Sequence, residues 1–243
     1  MPRPMRGKIL LIRRTYVTAL ALCVAVVAIF YVINHPALVG VSAGERPLPI
    51  YSVQREEQVI SLTFNARNPE DRYTAQVMEA LHIYGVRATF FVTGDWVRAN
   101  GDLAAALSVR GHALMNLSDD YSFLKKMATT EMLHNIEACN DAIAAITGIR
   151  PTLFRAPYGE YDHNMVAAVH AMEMQAIQWN IDSGDRRGYD AQAIAGRVHD
   201  QAVSGGIVLL HSDLAQTALA IPDLIDGLFR AGYIPVLLSE MLP

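Results

Sequence analysis

A chain of 243 residues that is 52% hydrophobic has ample apolar material for the core of one large domain or two small ones. Its net charge is −4, but five of its 20 Lys and Arg precede residue 15, so the remainder sets 15 basic against 24 acidic residues, near −9. That acidity excludes a basic nucleic-acid footprint, and two cysteines in unrelated segments exclude a disulfide framework.

In chain order, residues 1–14 form a basic arm with Arg3, Arg6, Lys8, Arg13 and Arg14, and no acid occurs before Glu45. Thr15–Ile33 is uncharged over 19 residues, and as a helix it spans roughly 28 Å, the thickness of a bilayer's hydrocarbon layer. The basic flank predicts a single-pass signal-anchor with the arm in the cytoplasm and the rest of the chain outside. A cleaved signal peptide competes, since Val41-Ser-Ala43 offers small residues, but the apolar run is long for one and the site lies far beyond it. Cys23 falls in this span and Cys139 in a later helix, so they are not expected to pair. Residues 34–49, rich in Pro and Gly, read as an extended tether, and 50–243 as the folded domain.

From Ile50 onward β-rich runs alternate with amphipathic stretches. Val59–Phe64, Ala88–Val92, Ala113–Met115, Thr152–Phe154, Gln175–Ile181, Ile207–Leu210 and Ile234–Leu238 read as strands, with helices near 73–84, 95–108, 129–147, 162–172, 190–203 and 217–231. Seven strands interleaved with six helices predict a parallel sheet with right-handed crossovers; periodicity does not choose between an open sheet and a barrel.

Five segments mark the predicted strand ends: Leu62-Thr-Phe-Asn-Ala66, Gly111-His-Ala-Leu-Met-Asn-Leu-Ser-Asp-Asp-Tyr121, Arg155-Ala-Pro-Tyr-Gly159, Trp179-Asn-Ile-Asp-Ser-Gly-Asp185 and Val208-Leu-Leu-His211. In order and spacing they resemble the five motifs of the polysaccharide deacetylase family, the NodB homology domain of the fourth carbohydrate esterase family. The resemblance runs from about Leu48 to the C-terminus. It implies an α/β fold, a distorted (β/α) barrel of seven or eight strands with its working residues at the strand C-termini. It also implies a carbohydrate N-deacetylase that uses zinc or another divalent cation.

Metal-assisted acetamide hydrolysis needs about three protein ligands with a place left for water, a base, an acid for the leaving amine and oxyanion donors. The resemblance implies a base and a ligand at positions 65 and 66, then two ligating histidines at 117 and 121. This chain has Asn65, Ala66, Leu117 and Tyr121 there. An amide takes no proton at neutral pH, a methyl group binds no cation, and Leu has no lone pair. Asn65 then either caps a turn or hydrogen-bonds a sugar. Asp119 and Asp120 offer oxygens suited to Mg²⁺ or Ca²⁺, but adjacent acids in a loop read first as a solvated capping pair. His112 reads as a packing residue, as do His82, His134, His163, His170 and His199, while His35 lies in the tether. No cofactor is predicted for this chain.

The frame around these gaps is kept. The resemblance implies that Arg155 orients the base, that a backbone N–H near Tyr158 binds the oxyanion, and that Asp182 or Asp185 tunes His211 as the acid. Arg155, Asp182, Asp185 and His211 are therefore expected in vestigial catalytic roles, with Asn65 in place of the base. Arg155, Pro157, Tyr158, Trp179 and Leu209 are the expected substrate contacts, Trp179 as core or as stacking platform, and Arg186 replaces an aromatic groove wall. Without an acid at 65, Arg155 lacks an anionic partner unless Asp182, Asp185 or a ligand carboxylate takes over. The reading adopted is an extracytoplasmic, membrane-anchored protein that binds cell-wall glycan of the peptidoglycan kind with little or no hydrolysis. An active N-deacetylase with non-standard ligands and a scaffold for envelope protein partners are the alternatives.

Overall fold

The computed structural model describes residues 48–242. The predicted arm, membrane span and nearly all of the tether lie outside the described residues; among those described, no helix is long and apolar enough to cross a membrane. Strand β1 (Val59–Ala66) is an interior strand of the sheet, hydrogen-bonded in parallel to β2 (Thr89–Val92) on one side and β7 (Gly206–His211) on the other. Beyond these come β3 (Ala113–Asn116), β4 (Leu153–Phe154), β5 (Gln175–Ala176) and β6 (Ile181–Asp182), in the order β5-β4-β3-β2-β1-β7-β6. The short β8 (Ile234–Pro235) joins β1 at Val59 and Ile60. Helices α1 (Thr74–Ile83), α2 (Gly94–Ala99), α3 (Gly101–Val109), α4 (Thr129–Thr147), α5 (His163–Ala171), α6 (Ala191–Gln201), α7 (Ala215–Arg230) and α8 (Leu238–Met241) complete the α/β domain. The parallel sheet is curled, and the strand tips gather at one end.

Three sequence expectations need correction. The run 175–181 is two strands, because residues 177–180 are too few for the crossover that neighbouring parallel strands require. β5 and β6 therefore fall on opposite edges, and the segment at Ile50–Val53 spans the gap: Ile50 N–H donates to Ala176 O at 2.8 Å and Val53 N–H to Gly205 O at 2.9 Å. The stretch 95–108 is two helices, interrupted at Asn100, whose side-chain amide donates to Trp96 O. The last strand stops at Pro235, which has no N–H for the ladder, and α8 follows.

Seven of the eight residues of β1 are buried, as expected of a strand covered on both faces. Its period of two divides them by chemistry. Ile60, Leu62, Phe64 and Ala66 pack under the helices with Phe90, Val92, Val208 and Leu210, and full burial of each Leu, Ile or Phe contributes about 1.5–3 kcal/mol. Ser61, Thr63 and Asn65 face the inside of the curl, whose apolar plug is Phe91, Met115, Leu117, Leu153, Ile177 and Ile207.

Candidate functional site

Asn65, the penultimate residue of β1, is 4% exposed and pairs across the sheet with His211, the last residue of β7. Its neighbour Ala66 is fully buried among apolar side chains on the helix-facing side of the strand. Leu117 follows β3 directly and is also fully buried, in the apolar plug beside Phe91 and Met115. The loop behind it is fixed by Asn116, whose Oδ1 accepts from Ser118 N–H at 2.7 Å and whose Nδ2 donates to Ile136 O and Asn140 Oδ1, both at 2.8 Å. That loop turns through left-handed backbone at Ser118 and Tyr121, an arrangement that costs about 1–3 kcal/mol per non-glycine residue and presents Tyr121 to the cavity. Asp119 pairs with Arg98 at 2.9 Å, and Asp120 accepts from Ser122 and Asn135, so both acids serve the loop.

Arg155 follows β4 and has no exposed surface. Its Nη1 donates to Asn65 Oδ1 at 3.0 Å, and its Nη2 to Thr63 Oγ1 at 2.8 Å and Gln178 O at 3.2 Å. Its charged plane lies 4.0 Å from the centre of the Phe91 ring and 5.6 Å from that of Trp179. Every oxygen it meets is neutral. Neither Asp182 nor Asp185 takes the place of the missing acid, and burial pushes the guanidinium down to about 9, still protonated at neutral pH.

The acid–imidazole pair is intact. Asp185 accepts from His211 Nδ1 at 2.8 Å, from His211 N–H at 2.6 Å and from Thr217 Oγ1 at 2.9 Å. Burial alone would raise this carboxyl, but the hydrogen bonds from His211 and Thr217 outweigh it and hold it below the usual carboxylate range. With Nδ1 held by Asp185, Nε2 is the ring nitrogen left for the cavity that His211 lines. Asp182 is not part of this pair; Arg187 binds its carboxylate at 2.6 Å and Gly184 N–H donates to it at 2.8 Å. Arg186 Nη2 donates to both carboxylate oxygens of Asp213, each at 3.1 Å.

These elements enclose a cavity of about 280 Å³ lined by Asn65, Arg67, Tyr121, Tyr158, Gly159, Trp179, Asp182, Gly184, Asp185, Arg186, Arg187, Leu209 and His211. Tyr158, Trp179 and Leu209 of the expected substrate contacts line it; Arg155 lies behind Asn65 and Pro157 is buried in its turn, so neither does. Trp179 packs onto Gly159, where an added Cβ at φ +70° would lie 2.8 Å from its Cη2. One rim is a ladder of rings: Phe123 stacks on Tyr158 at 4.1 Å, Tyr158 meets Tyr121 at 4.6 Å, and Arg67 caps Tyr121 at 4.4 Å. The Tyr121 hydroxyl accepts from Tyr158 N–H at 3.4 Å, covering the backbone donor that the resemblance assigns to the oxyanion.

A family model for polysaccharide deacetylases matches residues 52–177. The chain belongs to the polysaccharide deacetylase family. It is similar to the peptidoglycan-N-acetylmuramic acid deacetylase PdaC of Bacillus subtilis, 30% identical over 190 residues that cover 78% of this chain and 40% of PdaC. The peptidoglycan-N-acetylglucosamine deacetylase PgdA of Listeria monocytogenes is 31% identical over 182 residues, 75% of this chain and 38% of PgdA. The chain thus spans about two fifths of each of these relatives. Among solved structures it resembles BA3943 of Bacillus anthracis, described as a CE4 family pseudoenzyme, with 27% identity and a TM-score of 0.76 over 81% of this chain and 69% of that one. A mutant of BA3943 is described as having restored enzymatic activity.

The divalent cation used by this family does not fit the residues present in this deacetylase-like domain. Among the described residues no group of three or more His, Cys, Asp or Glu is placed to hold a metal ion, and positions 66 and 117 are packed apolar side chains. Arg67, Phe123, Gln178 and Arg187 were not foreseen as site residues. For Arg67 a signal existed, a cation directly after the altered Asn65-Ala66 pair; Arg187 lines the cavity, Phe123 joins through its stack on Tyr158 and Gln178 through its carbonyl on Arg155, all contacts that spacing does not reveal.

Proposed function

We propose that this protein binds an amino-sugar polymer of the peptidoglycan kind in the groove at the strand tips, with little or no deacetylation. The observation that carries this reading is the hydrogen bond from buried Arg155 to the amide oxygen of Asn65, where a base would have to be ionised. Loss of a general base alone costs on the order of 10²- to 10⁴-fold in rate, and residues acting as a unit leave little when several are missing. Tyr158 and Phe123, 48% and 40% exposed, give the groove an aromatic rim whose exposed apolar surface suits contact with sugar rings. PdaC and PgdA are peptidoglycan deacetylases by name, and BA3943 is a pseudoenzyme of similar fold. We further propose that residues 15–33 anchor the chain in the cell membrane with the domain outside, a reading supported by their uncharged length and the basic arm before them.

The test is acetate release by the full chain from chitin oligomers and from peptidoglycan, with and without Zn²⁺ or Co²⁺, beside co-sedimentation with purified peptidoglycan. Co-sedimentation without acetate release is expected. Robust metal-dependent release would overturn the reading, as would failure to sediment with the polymer.

A further inference from the structure

The mouth of this site has changed polarity, and three side chains show how. Arg155 has only donors, so the atom of Asn65 that faces it must be Oδ1. The amide Nδ2 is left for the cavity that Asn65 lines. Tyr121 accepts from Tyr158 N–H, which leaves its O–H proton free to be given away. Arg67 lies 4.4 Å over the Tyr121 ring, and its Nε is buried with no hydrogen-bond partner. The other two arginines of the mouth are neutralised, Arg186 by Asp213 and Arg187 by Asp182, and Asp185 is engaged by His211. Among the described residues no carboxylate is in ion-pair range of Arg67, although the domain as a whole is acidic. Arg67 lines the groove and also a second cavity of about 480 Å³ that shares Tyr121 and Arg186 with it, so its guanidinium is reachable from two sides.

A floor that would present acceptors to a cation thus presents donors: an amide N–H, a phenol O–H and a planar guanidinium. We propose that Arg67, Asn65 and Tyr121 form an anion site whose ligand is a small carboxylate, with the guanidinium of Arg67 supplying the positive charge where the family places a metal. The guanidinium fork matches a carboxylate in geometry as well as charge. Nε is the buried atom of the group, so a carboxylate would meet the guanidinium at its Nη edge. Two sources carry this chemistry: a free acid of acetate size, or an acidic sugar of the polymer, such as the lactyl ether of muramic acid. Only the second source rests on the glycan reading above.

The experiment is a titration of the full chain, solubilised in mild detergent and labelled with ¹⁵N-arginine, with acetate, N-acetylmuramic acid and N-acetylglucosamine, and with chloride as the ionic-strength control. Acetate is expected to shift the Arg67 Nε–H resonance where chloride does not, and Arg67→Gln to weaken acetate binding by about tenfold or more. Arg67→Lys, which keeps the charge and loses the fork, should fall between them. The proposal is overturned by equal effects of acetate and chloride, or by acetate binding that is unchanged in Arg67→Gln while melting shows the variant folded. Binding of N-acetylmuramic acid over N-acetylglucosamine by about tenfold, lost in Arg67→Gln, identifies the sugar as the source; equal sugar binding identifies the free acid. Acetate binding with neither sugar bound, nor any chitin oligomer, upholds the anion site and sinks the glycan reading instead.

Discussion

Replacing Asn65 by Asp would put a carboxylate opposite a guanidinium that the native fold has already taken out of water. Arg155 has no exposed surface and reaches Asn65 Oδ1 at 3.0 Å. A unit charge about 4 Å from the guanidinium centre gains about 4 kcal/mol at an effective dielectric near 20. Asn65 is itself only 4% exposed, and desolvating the new carboxylate offsets much of that gain, so the net is about 1–2 kcal/mol in favour of the variant at pH 7. For a domain of this size that is about 2–8 °C in Tm. The sign of the pH dependence follows from the same pair. Beside Arg155, the introduced carboxyl would titrate below the value near 3.9 of an unfolded Asp. Its contribution is therefore complete above that value and disappears as pH falls through the lower folded pKa, where the protonated acid is nearly an isostere of Asn. Calorimetric melting of the parent and Asn65→Asp chains between about pH 3 and 8 measures it. A variant less stable than the parent at pH 7, with a deficit that shrinks on acidification, would show that the charge of Arg155 is already balanced and refute the argument.

Restoring the whole set, Asn65→Asp, Ala66→Asp, Leu117→His and Tyr121→His, is expected to produce stoichiometric Zn²⁺ binding by calorimetry. No uptake would mean that the loop from Ser118 to Tyr121, with its left-handed turns, has moved away from ligand geometry. A third expectation concerns His112, which is 6% exposed and stacks edge-on with Phe90. Burial, reinforced by Arg110 and Arg87, pushes its imidazole down to about 4. The unfolded chain takes up that proton near pH 6.5, so stability should fall by about 2–3 kcal/mol as pH drops from about 6.5 to 4. His112→Gln, which can still accept from Ala88 N–H, should flatten that slope in urea denaturation; an unchanged slope would assign the acid sensitivity to other groups.

Sequence alone was enough for the alternation of strand and helix, the family and the absence of chemistry at positions 65, 66, 117 and 121, because each depends on local periodicity or on what an atom can donate, accept or ligate. The 19-residue span of α4 was legible from its amphipathic pattern, and the structure ends it at Gly148 in left-handed backbone. The split of 175–181 into two edge strands was not, since it follows from a crossover too short to exist rather than from β-propensity. Nor could spacing tell which of Asp182 and Asp185 binds His211; one ends β6 and the other lies three residues on, and only the turn between them hands one to the imidazole and the other to Arg187. The state of Arg155 is the clearest case. The motif announced a cation without its acid, but whether another carboxylate had replaced it depended on which strands and loops converge on it. Tertiary structure answered that with an amide, a hydroxyl, a carbonyl and two aromatic faces. Residue type fixes which interactions are available, while electrostatic energy depends on distances of a few ångströms between segments far apart in the chain.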